Sequence, residues 1–217
     1  MAGIKIKAAA NNGSAEIAGP PDSSANTVLK LPADTGSAGK VLKIKSANHS
    51  ATNAELEWAA DSGKILQVLS SHKVNSFATT SSSFVDVTDI SRTIDPIAAS
   101  SKIYIVISLH FGGAAGSYPG FNLLRGSTIV TQGTNGTGVM TNCTWGDYVD
   151  HQSKTYSTAY NFLDSPSYSV GDTLTYKLQI ASLYDSREVC INRANSGTNA
   201  TYVMNGTSTI TVMEVGA

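Results

Sequence analysis

The chain has 217 residues, a net charge of −1 at pH 7, and charged side chains at only 14% of its positions. It shows no basic excess for binding the phosphate backbone of a nucleic acid, and no stretch reaches the ~18 apolar residues of a membrane span. The many Ser, Thr and Gly residues favour strands and loops over long helices. Because residues 1–7 lack the apolar core of a signal peptide, we expect synthesis in a reducing cytoplasm, with no membrane insertion.

Residues 1–63 predict a series of short strands, each exposed on one face. Every segment is four to six residues long, alternates apolar with charged side chains, and is separated from the next by turn residues. The segments are residues 4–7, 15–18, 27–31, 40–45 and 55–58. A region of about 60 residues with so few apolar side chains does not build a core alone. We therefore predict an oligomeric stem in which several chains share one core.

Residues 64–217 predict longer and more apolar strands. Lys102–Phe111 is apolar on both faces, as expected of a central strand in a sandwich. Thr173–Ile180 alternates cleanly, and Gly171-Asp172 predicts a two-residue hairpin that joins it to Ser167–Val170. Further candidates are residues 65–69, 83–87, 121–125, 128–131, 155–163, 189–192 and 208–215. The pattern predicts an all-β head domain, a β-sandwich or jelly roll.

The residue types that carry catalysis are scattered along the sequence. Cys143 and Cys190 are too few for a disulfide scaffold and lack the spacing of a zinc site, so we expect two unpaired thiols. The glycine-rich run Gly133–Gly138 is followed by neither Lys-Ser/Thr nor a helix, which favours a strand connection over a phosphate loop. Ser70–Lys73 matches Ser-x-x-Lys without its companion motifs. We predict no enzymatic activity, no cofactor and no metal site.

Two predicted loops, residues 112–120 and 142–152, carry side chains suited to a ligand. Tyr and Trp rings offer stacking faces for sugars, and carboxylates accept hydrogen bonds from hydroxyls. The candidate receptor-binding residues are Tyr118, Trp145, Asp147, Tyr148, Asp150 and His151. The alternative interpretation is that Trp145 and Tyr148 fill the core between sheets or between subunits.

Several segments resemble proteins of bacteriophage particles. Leu31–Leu42 followed by Glu57-Trp58-Ala59 resembles the LP-x-x-x-G-x-x-G-x-x-L … W-A element of tail fibres and other virion appendage proteins. Phe77–Thr88 followed by Ser101-Lys102-Ile103 resembles a C-terminal domain of marine and cyanobacterial phage structural proteins. Tyr168–Leu174 is similar to a hairpin in trimeric jelly rolls of the C1q and tumour-necrosis-factor type.

The resemblance implies a non-enzymatic virion structural protein, a homotrimeric phage fibre or knob. The stem would bind other virion proteins of the tail or capsid, and the head would serve host attachment, with a host surface glycan as the candidate receptor. One alternative is a head fibre that decorates the capsid. The alternative from another class is a carbohydrate-active enzyme or a lectin domain.

Overall fold

A computed structural model describes residues 7–8, 15–18, 28–34, 36–37, 40–49, 53–60, 64–134, 137–196, 200–201 and 203–216. All regular secondary structure within these residues is β-strand, which confirms the predicted all-β class. The chain divides into two compact units, Met1–Ser62 and Gly63–Ala217.

The first unit contains one five-stranded sheet. Its strands are β1 (Lys7–Ala8), β2 (Ala15–Ala18), β3 (Val28–Lys30), β4 (Lys40–His49) and β5 (Asn53–Ala60). They lie in the order β1-β2-β3-β5-β4, and only the β3–β5 pair among them is parallel. The strand predictions are confirmed over residues 15–18, 28–30, 40–45 and 55–58, whereas β3 ends before Leu31 and residues 4–6 and 27 lie outside the described residues. β4 and β5 are longer than predicted because neither contains a Gly or Pro to interrupt the pairing.

The β4–β5 pair is apolar on one face and charged on the other. Leu42 lies opposite Trp58 and Ile44 opposite Leu56, so these four apolar side chains share a face. Leu42 and Ile44 remain 40% and 53% exposed. On this sheet a single protomer therefore leaves apolar surface in contact with water.

The Leu-Pro-x-x-x-Gly segment packs against Trp58. Gly36 has a φ of +71°, and a Cβ at this position would lie 2.6 Å from the indole ring. The Trp58 Nε1–H donates a hydrogen bond to the Asp34 carbonyl at 3.0 Å. Gly36 therefore lies directly against the Trp58 ring, and this contact leaves no room for a side chain at position 36.

The second unit is a β-sandwich. Its strands are β6 (Ile65–Lys73), β7 (Phe77–Thr79), β8 (Val85–Ile94), β9 (Lys102–Gly113), β10 (Pro119–Arg125), β11 (Thr128–Thr131), β12 (Trp145–Gly146), β13 (Tyr156–Asp164), β14 (Leu174–Ser182), β15 (Val189–Ile191) and β16 (Ser208–Val215). The larger sheet has the order β6-β16-β9-β15-β7, with β13 also paired to β9. The smaller sheet has the order β11-β10-β14-β8, with β12 also paired to β10.

The core lies between these two sheets, with β9 at its centre. β9 pairs with β13 along one edge and with β16 and β15 along the other. Its inward side chains are at most 1% exposed and face the inward side chains of β14. These inward residues are Ile103, Ile105, Ile107, Leu109 and Phe111 of β9, and Tyr176, Leu178 and Ile180 of β14. The predicted central strand is thus confirmed.

The predicted hairpin at Gly171-Asp172 is wrong. The turn itself forms, with Gly171 at φ +101° and the Asp172 N–H donating to the Ser169 carbonyl at 2.9 Å. Ser167–Val170 is not a strand, however, because the Tyr168 hydroxyl is held by Ala98 and Ser101 of another loop, at 2.6 and 2.8 Å. β13 and β14 consequently belong to different sheets, and residues 165–173 cross between them.

Candidate functional site

The segment from Thr144 to Val149 lies alongside the start of β10. Trp145 and Gly146 pair with Phe121 and Gly120, and an isolated bridge joins Val149 to Ser117. The predicted loop 142–152 is therefore partly an extended edge segment whose backbone is hydrogen-bonded to the sheet. The bridge brings the two neighbouring residues, Tyr148 and Tyr118, side by side on the surface.

Three exposed tyrosine rings form a cluster at this position. The ring centroids of Tyr118 and Tyr148 are 4.9 Å apart, and those of Tyr118 and Tyr184 are 5.7 Å apart in an edge-to-face arrangement. The three residues are 44%, 47% and 55% exposed, respectively. About half of each residue is therefore accessible to solvent, which leaves aromatic surface on which a ligand can stack.

The cluster lines an open cleft of about 720 Å³, which we call the tyrosine cleft. Its lining residues are Gly116, Tyr118, Val139, Thr141, Tyr148, Leu183, Tyr184 and Arg187. Gly116 has a φ of +80°, and a Cβ there would lie 2.7 Å from Nη1 of Arg187. The guanidinium thus lies directly over this glycine and occupies the space that a larger residue would fill.

A tight turn places Tyr184 and Arg187 on the same cleft. Asp185 and Ser186 both have positive φ, 54° and 46°, and the Arg187 N–H donates to the Tyr184 carbonyl at 3.4 Å. Consecutive left-handed residues that are not glycine are uncommon, and such backbone concentrates at ligand sites. The Ser182 hydroxyl holds the turn by donating to the Arg187 carbonyl at 2.6 Å.

Trp145 lies in a different environment from the tyrosines. Its indole stacks between Phe121 and Tyr160, with centroid distances of 5.0 and 4.8 Å, and packs against the core. β12 belongs to the edge of the smaller sheet and β13 to the larger one, so Trp145 packs where the two sheets meet. This is the position that the alternative interpretation expects for this residue.

Asp147, Asp150 and His151 of the predicted set form hydrogen bonds with residues close to them in the sequence. Asp150 accepts hydrogen bonds from Lys154 Nζ, at 2.8 Å, and from the Tyr156 hydroxyl. The bond from Lys154 is the main cause that lowers the pKa of Asp150. His151 Nδ1 accepts a hydrogen bond from the Ser153 N–H at 3.2 Å, and Asp147 accepts one from the Tyr148 N–H at 2.8 Å.

Of the six predicted residues, the cleft lining includes Tyr118 and Tyr148 and adds Tyr184 and Arg187, which the sequence analysis missed. A usable signal was present, because Asp-Ser between Tyr and Arg after a strand is typical of a surface turn. The receptor-binding role of the original set stays a prediction.

Within the described residues, the two cysteines and the other potential metal ligands form no second site. Both cysteines are unpaired, and burial raises the pKa of both thiols, that of Cys190 to about 12. Among the described residues, no group of three His, Cys, Asp or Glu side chains could hold a metal ion. No helix with the length and hydropathy of a membrane span occurs in that part of the chain either.

No family model and no curated protein matches the chain. Among solved structures it is similar to infectious bursal disease virus strain Gx, with 16% identity and a TM-score of 0.37 over 75% of this chain and 39% of that chain. Strain Gt and a mutant VP2 protein of the same virus in T=1 particles each give 13% identity and a TM-score of 0.31 over 95% of this chain, and 48% and 46% of theirs. The chain spans less than half the length of these proteins, and similarity this low carries no argument about its function.

Proposed function

We propose that the chain is a non-enzymatic virion structural protein, a homotrimeric fibre or knob that attaches a bacteriophage particle to its host. In this proposal residues 64–217 form the head, which binds a host surface glycan in the tyrosine cleft. Residues 1–63 form the stem, which binds other virion proteins of the tail or capsid. The observation that carries the proposal is the cluster of three exposed tyrosines that line one cleft.

The chemistry of the cleft favours sugar binding over sugar cleavage. Tyrosine rings stack on the C–H faces of sugar rings, and their hydroxyls both donate and accept hydrogen bonds. Within the described residues the cleft lining contains no Asp or Glu, whereas glycoside hydrolysis normally uses a pair of carboxylates. These features favour a receptor-binding module over a carbohydrate-active enzyme.

The outer face of the larger sheet supports the trimeric part of the proposal. Three rows of register partners cross β6, β16, β9 and β13 without an acidic residue, Lys or Arg. The rows are Val68, Met213, Tyr104 and Leu163; Ser70, Thr211, Val106 and Asn161; and His72, Thr209, Ser108 and Ala159. An uncharged face of this kind can pack against a copy of the same chain without like-charge repulsion.

The test is to replace Tyr118 and Tyr148 together with Ala and to measure adsorption of the purified protein to host cells. We expect adsorption to weaken about tenfold or more, as for loss of central aromatic contacts, with an unchanged melting temperature. Val170→Ala is the matched control, because Val170 is 58% exposed and is not part of the cleft lining. Wild-type adsorption by the double variant would contradict the proposal.

A further inference from the structure

Arg187 is the one charged residue of the described cleft lining. Its side chain is 43% exposed, and its Nη1 donates a hydrogen bond to the Ala115 carbonyl. This bond anchors one end of the guanidinium in the cleft that the three tyrosines also line. A guanidinium carries five N–H donors in a rigid fork, so donors remain for a ligand in the cleft.

The acidic neighbour of Arg187 is held only loosely. The distance from Arg187 Nη2 to Asp185 Oδ2 is 3.8 Å, too long for a hydrogen bond, and the Asp185 side chain is 56% exposed. Exposed ion pairs of this kind contribute little to the free energy of folding, because water screens the attraction between the charges. A ligand carboxylate that forms two short, parallel hydrogen bonds with the fork would therefore outcompete the Asp185 carboxylate.

We propose that the tyrosine cleft recognises an acidic sugar, with Arg187 binding the sugar carboxylate while the tyrosine rings stack on the sugar. This inference rests on the proposed function and specifies the class of glycan. It also fits the net charge of −1, since a ligand with one carboxylate per site needs one cation, whereas a dense polyanion needs a basic patch. The recognition element is thus a fixed cation combined with an aromatic surface.

The experiment compares two probes that differ only in the carboxylate. They are the purified surface polysaccharide of the host and the same polysaccharide after chemical reduction of its carboxyl groups to alcohols. We expect the wild-type protein to bind the native form about tenfold more tightly, which corresponds to one bidentate contact of about 1.4 kcal/mol. Arg187→Gln should abolish this preference and still bind the reduced form.

Two further variants separate the role of the fork from that of charge and folding. Arg187→Lys keeps the charge but loses the bidentate geometry, so its preference for the native form should be smaller than that of the wild type. Asp185→Asn removes the competing carboxylate and keeps a residue type that tolerates positive φ, so it should bind the native form more tightly. Continued binding of the reduced form shows that each variant is folded.

The outcomes distinguish recognition of a carboxylate from glycan binding as such. Equal binding of both probes by the wild-type protein would overturn the carboxylate inference and leave the glycan-binding function standing. A native-form preference that persists in Arg187→Gln would overturn the role of Arg187. Binding of neither probe would overturn the proposed glycan-binding function, and the inference with it.

Discussion

Trp145 and Tyr148 are three residues apart in the sequence but differ in their surroundings. The indole of Trp145 stacks on Phe121 and Tyr160 and packs against the core, whereas Tyr148 is 47% exposed beside Tyr118. The backbone pairing of each residue therefore determines which side chains surround its aromatic ring. The two residues should therefore respond differently to truncation.

Trp145→Ala should destabilise the second unit by about 3 kcal/mol, because it leaves a cavity between two stacked rings. For a unit of this size the melting temperature should fall by roughly 10 °C. Tyr148→Ala should leave stability within about 0.5 kcal/mol of the wild type, as an exposed substitution does. Thermal unfolding of the two variants side by side measures the difference. Equal melting temperatures would show that Trp145 is not a core residue.

Glu214 is a carboxylate buried at the end of β16. It is fully inaccessible and accepts hydrogen bonds from the backbone N–H groups of Ile97 and Ala98, each at 3.0 Å, and from Gln67 Nε2 at 2.7 Å. Burial is the largest single influence and favours the neutral acid. The hydrogen bonds together outweigh it and hold the pKa of Glu214 below its usual value of 4.5.

This carboxylate should contribute to the loss of stability in acid. Its folded pKa lies below its unfolded value, so its contribution is present above about pH 4.5 and is lost as the pH falls through the folded pKa. Glu214→Gln should be less stable than the wild type at pH 7 and lose less stability on acidification. Melting temperatures of both proteins from pH 7 to about pH 3 test this. Parallel curves would contradict it.

At the scale of elements, the turns position the tyrosine cleft. The turn at Gly116 joins β9 to β10, strands of opposite sheets, and Arg187 comes from the connection between β14 and β15. The cleft therefore combines loops from both sheets and three separate parts of the sequence. Its shape depends on the backbone of each turn.

Gly116→Ala should disturb the cleft through Arg187. Gly126→Ala is the matched control, because Gly126 also has a positive φ, +59°, but apart from its chain neighbours no atom of the described residues lies within 4 Å of an added Cβ. Both variants should lose about 1–2 kcal/mol of folding free energy, because alanine is strained in the left-handed backbone conformation. Only Gly116→Ala displaces the guanidinium, so only this variant should lose the preference for native over carboxyl-reduced polysaccharide. If Gly126→Ala lost the same preference, the cause would be the lower stability of the variant and not a displaced guanidinium.

At the scale of the whole molecule, uncharged and apolar surface is left uncovered in both units. In the first unit Leu42 and Ile44 are substantially exposed. In the second unit three adjacent rows on the outer face of the larger sheet, those through Tyr104, Val106 and Ser108, carry neither acidic residues nor Lys or Arg. Apolar surface that a single chain cannot cover favours association. We expect a homotrimer that buries these surfaces.

Light scattering at micromolar concentration should give three times the chain mass of 22.6 kDa. Ala159→Arg places a charge on the outer face of the larger sheet, where three copies would bring like charges together, and should shift the mass toward that of one chain. Thr93→Arg, on the outer face of the smaller sheet, is the control and should stay trimeric. A wild-type mass of 22.6 kDa, or no response to Ala159→Arg, would contradict this arrangement.

The all-β class and the positions of most strands follow from the amino-acid sequence alone. Alternation of apolar and polar side chains is a local property, and it marks which residues face a core before any partner strand is known. Lys102–Phe111 and Ser208–Val215 could be predicted for this reason, and both form strands, β9 and β16. Tyr118 and Tyr148 could likewise be predicted as candidate binding residues, because both lie in loop-like segments of the sequence.

Strand pairing and the contacts between distant side chains, by contrast, depend on the folded chain. The hairpin at Gly171-Asp172 was wrong because the Tyr168 hydroxyl binds a loop about 70 residues earlier, and no local pattern encodes that bond. Trp145 was separated from Tyr148 by the pairing of β12 with β10. The meeting of Tyr118, Tyr148, Tyr184 and Arg187 likewise required three distant segments to converge. Such contacts depend on the packing of the whole unit. The hydrogen-bonding groups of the backbone and side chains find their partners in distant segments, and the neighbouring residues in the sequence do not specify those partners.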